Sequence, residues 1–120
     1  MKKLSIALVV ALLCGAVAMV GTAGARGKAA TTVTIKFNGD GFQGKVKSSK
    51  SKCVKNRTVK VYKQKGSSQD PSTDKKMFKD TSGSDGSWDT GNSGQAKGKF
   101  YALATGTDSC KKGFSKTIKV

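Results

Sequence analysis

"KVKSSKSKCVKNRTVKVYK", residues 45–63, carries eight Lys or Arg, no acid and one cysteine. Two readings compete for it: a nucleic-acid-binding tract, or two strands of an exported domain that is basic. Its ends decide, because both alternate. In "RTVKVYK" Val59 and Val61 fall on one side, and Thr58, Lys60 and Tyr62 on the other. In "FQGKVKS", residues 42–48, Val46 points inward between Lys45 and Lys47. A period of two places one face of a strand on a core and the other in water. These lysines are therefore the solvent side of strands.

The same period runs through the rest of the chain. "TTVTIKF" (31–37) sets Val33, Ile35 and Phe37 against Thr32, Thr34 and Lys36, and "NGDG" after it suits a tight hairpin. "KKMFKD" (75–80) reads as a strand. So does "DGSWDT" (85–90), opened by an Asp-Gly turn. "GKFYALAT" (98–105) is the most apolar and the expected centre, and "FSKTIKV" (114–120) closes with Phe114, Ile118 and Val120 on one side. Helices are disfavoured: glycine recurs, leucine is scarce and glutamate is absent. The expected fold is all-β, one small antiparallel sandwich of about seven strands over residues 31–120, after a short linker at 26–30. "QKGSSQDPSTDK" (64–75), with the only proline, Pro71, reads as a mobile loop.

Residues 1–25 read as a secretory signal-peptide helix, against the alternative of a retained membrane anchor, which the cleavage site and the lack of a basic cluster directly after the apolar run disfavour. Lys2 and Lys3 begin it, Leu4 to Val20 is almost wholly apolar, and Ala23 and Ala25 form the A-x-A cleavage pair before Arg26. Cys14 leaves with that peptide. The mature chain of 95 residues then has 21 basic residues against seven Asp, net +14, and two cysteines, Cys53 and Cys110. Two thiols in an exported chain have one intramolecular pairing, and a bridge is expected between them. A redox pair is normally C-x-x-C, which this is not. The expected location is secreted, extracellular or at the cell surface, with no membrane span after cleavage.

There is no His and no Glu, so Ser/His/Asp and Cys/His arrangements are impossible and the commonest general base is missing. Asp80, Asp85 and Asp89 read as turn residues. "DTSGSDGSWD" (80–89) offers oxygens but departs from the calcium-loop pattern, its glycine displaced and its terminal Glu missing. Two thiols are too few for zinc. No cofactor, metal or catalytic residue is assigned.

Charge is the remaining clue. Residues 26–65 are net +11, residues 66–96 net −2, and residues 97–120 net +5. The outward residues Lys36, Lys45, Lys47, Lys60 and Lys119 are the candidates for a basic face that attracts polyanions. Nineteen of the 21 mature basic residues are Lys, which lacks the planar fork that reads phosphate or guanine, and no RNA-recognition signature is present. Nucleic acid is therefore disfavoured, and anionic envelope polymers or polysaccharide are the expected partners. The plain alternative is that the lysines only solubilise the protein and blunt its sheet edges. Trp88, beside a turn, is the candidate for stacking on a sugar ring in an accessory binding module. Its hairpin and neighbouring loops would then form the site, and the competing reading is core packing.

The order G-x-V (Gly44, Val46), V-x-V (Val59, Val61), D-G-x-W (Asp85, Gly86, Trp88) and G-x-F (Gly98, Phe100) resembles the carboxypeptidase-regulatory-like, transthyretin-like β-sandwich domains. "KCVKNRTVKVYK" with "CKKGFSKTIKV" is similar to small lysine-rich secreted bacterial proteins of no assigned activity. The resemblance implies a binding or accessory role rather than a reaction. The crosslink between a first-strand Lys and a last-strand Asn, found in some adhesin relatives, is not expected: Asn38, Asn56 and Asn92 all lie in turns or loops.

Overall fold

A computed structural model describes residues 27–120, so the signal segment, with Cys14, Ala23 and Ala25, lies outside the described residues. Strand β1 is Thr32–Val33, β2 Lys36–Phe37, β3 Phe42–Lys47, β4 Thr58–Lys63, β5 Lys75–Thr81, β6 Ser87–Asp89, β7 Lys99–Ala104, β8 Gly113–Phe114 and β9 Ile118–Lys119. One 3-10 turn, Ser51–Cys53, interrupts them. The chain is all-β over the described residues, in two sheets whose strands pair antiparallel. In the first, β3 lies between β6 on one side and β1 and β2 on the other. In the second the order is β5-β4-β7, with β8 and β9 both along the far side of β7.

The nine strands form seven runs, because β1 with β2, and β8 with β9, are each one run broken in the middle. Both breaks use a hydroxyl. Thr34 donates its N–H to the Lys45 carbonyl (2.9 Å), but the Lys45 N–H returns to Thr34 Oγ1 (2.9 Å). Ser115 donates to the Ala102 carbonyl (2.8 Å), and the Ala102 N–H returns to Ser115 Oγ (2.8 Å). In the first break the displaced Thr34 carbonyl turns towards β3. There it lies 1.9 Å from where a side chain on Gly44 would begin, and so dictates glycine at that position.

The two sheets share one core. Phe42 of β3 stacks at a tilt on Phe100 of β7 (4.8 Å between centroids) and lies near Phe78 of β5 (6.1 Å). Val33, Ile35, Val46 and Trp88 meet Val59, Val61, Ala102 and Ala104 around them. The inward positions expected at Val46, Val59 and Val61 are buried. Phe114 departs from expectation. The register sets it opposite Leu103, which faces away from the shared core, and it is 37% exposed. The break at Ser115 separates it from Ile118 and Val120, which do pack against the core.

Cys53 and Cys110 are bonded, with Cα atoms 5.6 Å apart across 57 residues of chain. Closing such a loop is worth roughly 4 kcal/mol in the chain-entropy account. No helix among the described residues is long and apolar enough to cross a membrane.

Candidate functional site: the outer faces of the two sheets

The register distributes the five candidate lysines over two surfaces. Lys36, Lys45 and Lys47 lie on the outer face of the first sheet, opposite Gln43, Ser87 and Thr32. Lys60 and Lys119 lie on the outer face of the second. A single basic face made of all five is therefore not formed: the lysines turn away from a common core in different sheets. Periodicity assigns inside and outside within a strand but not which sheet the strand joins.

The first outer face is mixed in charge. Lys45 reaches Asp85 (3.8 Å), the one ion pair found among the described residues, and Asp89 stands opposite Gln43. The Ser87 N–H and then the Ser87 hydroxyl, with a smaller contribution from Lys45, hold Asp85 below the usual carboxylate range. Asp80 Oδ2 accepts the Asp89 N–H (2.7 Å), tying β5 to β6 at the open edge between the sheets, and Asp89 Oδ1 accepts from Gly91. Asp85 and Asp89 thus each serve a backbone donor two residues on, while Asp80, read as a turn residue, lies within β5 and accepts from a strand of the other sheet. A groove of about 470 Å³ runs over this face, lined by Thr34, Lys36, Gln43, Lys45, Ser87 and Asp89 among others. Trp88 lies beside it but is not a platform. Its ring is 2% exposed and packs in the core, against Gly44 of the neighbouring strand. The indole is the largest side chain in this small core, and burying its area outweighs leaving it beside the turn.

The second outer face has three rows. In one, Lys99 stands directly opposite Lys119. In the next, Tyr62 stacks on Tyr101 (5.5 Å, 15°). In the third, Lys79, Lys60, Leu103 and Phe114 lie side by side on β5, β4, β7 and β8. A further opposed pair, Lys63 and Lys75, sits at the end of β4 and β5 but on the other side of the sheet, because Lys63 stands opposite Phe100. Like charges placed directly across a ladder destabilise it, by roughly 0.2–1 kcal/mol a pair. Three such pairs fall in this sheet, and the first has none.

The loop over residues 64–74 covers the tyrosine row and is tied down, contrary to the mobile segment expected from its composition. Gln69 Nε2 donates to the Ser115 carbonyl and Thr117 Oγ1 (both 2.9 Å), and Thr117 Oγ1 donates to Gln64 Oε1 (2.6 Å). Asp74 is the pin: it accepts the Tyr101 hydroxyl (2.6 Å) and the N–H groups of Lys65 and Asp70. The Tyr101 hydroxyl first, then those N–H groups, hold Asp74 below the ordinary carboxylate range, and burial followed by Asp74 pushes Tyr101 far above the ordinary phenol value. A polar loop thus keeps its order by satisfying polar groups over an aromatic pair.

Arg57, read in the sequence as one more positive charge of the basic tract, is 1% exposed. Its guanidinium donates to Thr31 Oγ1, the Cys53 carbonyl, the Thr105 carbonyl and the Lys111 carbonyl at 2.7–3.0 Å, with no carboxylate. Burial lowers its pKa. It joins four segments beside the disulfide and is unavailable to a ligand. The sequence signal was the residue type: it is the only Arg among the described residues, where every other base is Lys, and only the planar fork serves several acceptors at once.

No family model matches this chain, and neither the curated proteins nor the solved structures include a match to it.

Proposed function

We propose that the chain is a secreted, non-enzymatic β-sandwich of the transthyretin-like type that contacts anionic cell-envelope polymers through the outer face of the β5-β4-β7 sheet. One observation carries this reading: on that face Lys60 against Lys79 and Lys99 against Lys119 stand in register without an acid between them. Such a ladder is unfavourable to the folded chain alone and becomes favourable when a polyanion lies across it and releases its counterions. The two-cysteine bridge supports export, and the lack of His and Glu supports a binding role.

The test compares two quadruple variants of equal charge. In one, Lys60, Lys79, Lys99 and Lys119 become Gln; in the other, Lys36, Lys45, Lys47 and Lys50 do. Retention on an anionic polymer at low and moderate salt should fall well below the second variant's for the first. Equal retention would mean that net charge alone acts, and would refute the face.

The groove beside the Trp88 hairpin favours a second reading, a site for a polyhydroxylated ligand held by Gln43, Ser87 and Asp89. That binding would survive high salt.

A further inference from the structure

We infer that the row Lys79–Lys60–Leu103–Phe114 is a subsite for an acidic polysaccharide. One sugar ring stacks on Phe114, and anionic groups further along the chain meet Lys60 and Lys79. The inference rests on the polyanion reading above and specifies its ligand.

The registers make this row continuous: Lys79 opposite Lys60, Lys60 opposite Leu103, and Leu103 opposite Phe114. All four therefore share the outer face. Neighbouring strands lie about 4.8 Å apart, so Phe114 and Lys60 are separated by roughly 10 Å, with Lys79 one strand beyond. Leu103 between them is 8% exposed and forms an apolar floor.

Phe114 is the one large hydrophobic side chain exposed among the described residues. It is not loose. Tyr101 leans on it (6.2 Å, 41°), and Tyr101 is itself fixed by Asp74, so the ring is held in position from beneath. Lys112 Nζ lies 5.8 Å from its centroid. Such an exposed cation–π contact is weak, and a flexible lysine can leave the ring for an anion, bringing a third ammonium to this end of the row.

The chemistry selects the ligand. A polyphosphate matches the lysines but has no apolar surface for Phe114. A lipid surface calls for an apolar face larger than one exposed ring. Single-stranded nucleic acid calls for successive aromatic platforms, and one ring is not a series. An acidic pyranose polymer presents a C–H face and a carboxylate or sulfate on the same chain, matching an aromatic ring with ammonium groups in line beside it. The stacking role that the sequence offered to Trp88 thus passes to Phe114, on the other sheet.

The test titrates the full mature protein with polygalacturonate, long-chain polyphosphate and poly(dT) at low salt. Phe114→Ala should weaken polygalacturonate binding about three- to tenfold, as for loss of one aromatic contact. Polyphosphate binding should stay within about twofold, and Phe114→Trp should restore the loss. Lys60→Gln should weaken both. Equal effects of Phe114→Ala on the two polymers, or no effect on either, would overturn the inference and leave the polyanion reading standing. So would a larger loss for poly(dT) than for polygalacturonate. Wild-type protein that binds none of the three would instead refute the polyanion reading itself.

Discussion

Replacing Lys79 by Glu should strengthen the fold and weaken its binding. Lys79 and Lys60 stand directly opposite on the outer face of β5 and β4. A like-charged pair in that position destabilises by roughly 0.2–1 kcal/mol, and an opposite-charged pair stabilises by about as much. Both side chains reach solvent, so the low half of each range applies. The net gain is about 0.4–1.2 kcal/mol at low salt. For a domain of this size that raises Tm by about 2–10 °C. Because the effect is Coulombic between solvated groups, it should shrink at 0.5 M salt, where the screening length falls to a few ångströms, about 3–5 Å. The assay is thermal unfolding of wild type and Lys79→Glu at 20 and 500 mM NaCl, followed by polyanion binding of the same samples. A lower Tm at low salt, or a gain indifferent to salt, would mean that the two lysines are not opposed and the β4–β5 register is wrong. A gain in Tm with unchanged binding would mean that the lysines serve solubility only.

Three further outcomes follow from the structure. Reducing the bridge, or replacing Cys53 and Cys110 by Ser, should remove about 4 kcal/mol, read from denaturant unfolding. It should also loosen Arg57, two of whose acceptors are the Cys53 and Lys111 carbonyls. Gly44→Ala should lower stability by about 3 kcal/mol, because its methyl meets the Thr34 carbonyl, a backbone atom with little room to move. Gly39→Ala, with open space but a positive φ of 98°, should cost less, about 1 kcal/mol. Stability should also depend on pH through Asp74 and Tyr101. Asp74 has a depressed folded-state value, so its contribution is present above the unfolded carboxylate pKa and is lost as acid protonates it, below about pH 4. Tyr101 has a raised value, so its contribution is full below the unfolded phenol pKa and fades above about pH 10. Tyr101→Phe should flatten both limbs in melts across pH, and unchanged limbs would count against the pair.

What was legible in the sequence followed from local rules. Strand period, turn chemistry and the two-cysteine count operate within a few residues or by simple pairing. They sufficed for an all-β chain, for Val46, Val59 and Val61 turned inward, and for the bridge between Cys53 and Cys110. What escaped depends on which strands become neighbours. Alternation says that Lys36 and Lys60 both point outward, but only sheet membership puts them on separate surfaces and aligns Lys60 with Lys79, Leu103 and Phe114. Phe114 left the inward set because the Ser115 hydroxyl breaks its run. Trp88 took the core because its strand pairs beside Gly44, where no side chain competes for the space. Arg57 and the Asp74 loop are satisfied by partners far away in sequence, at contacts that exist only once the sheets close. Sequence thus determined the chemistry of each strand's two sides. Tertiary structure decided which sides meet, because pairing between distant strands is settled by packing and backbone hydrogen bonding over the whole domain rather than by any one segment.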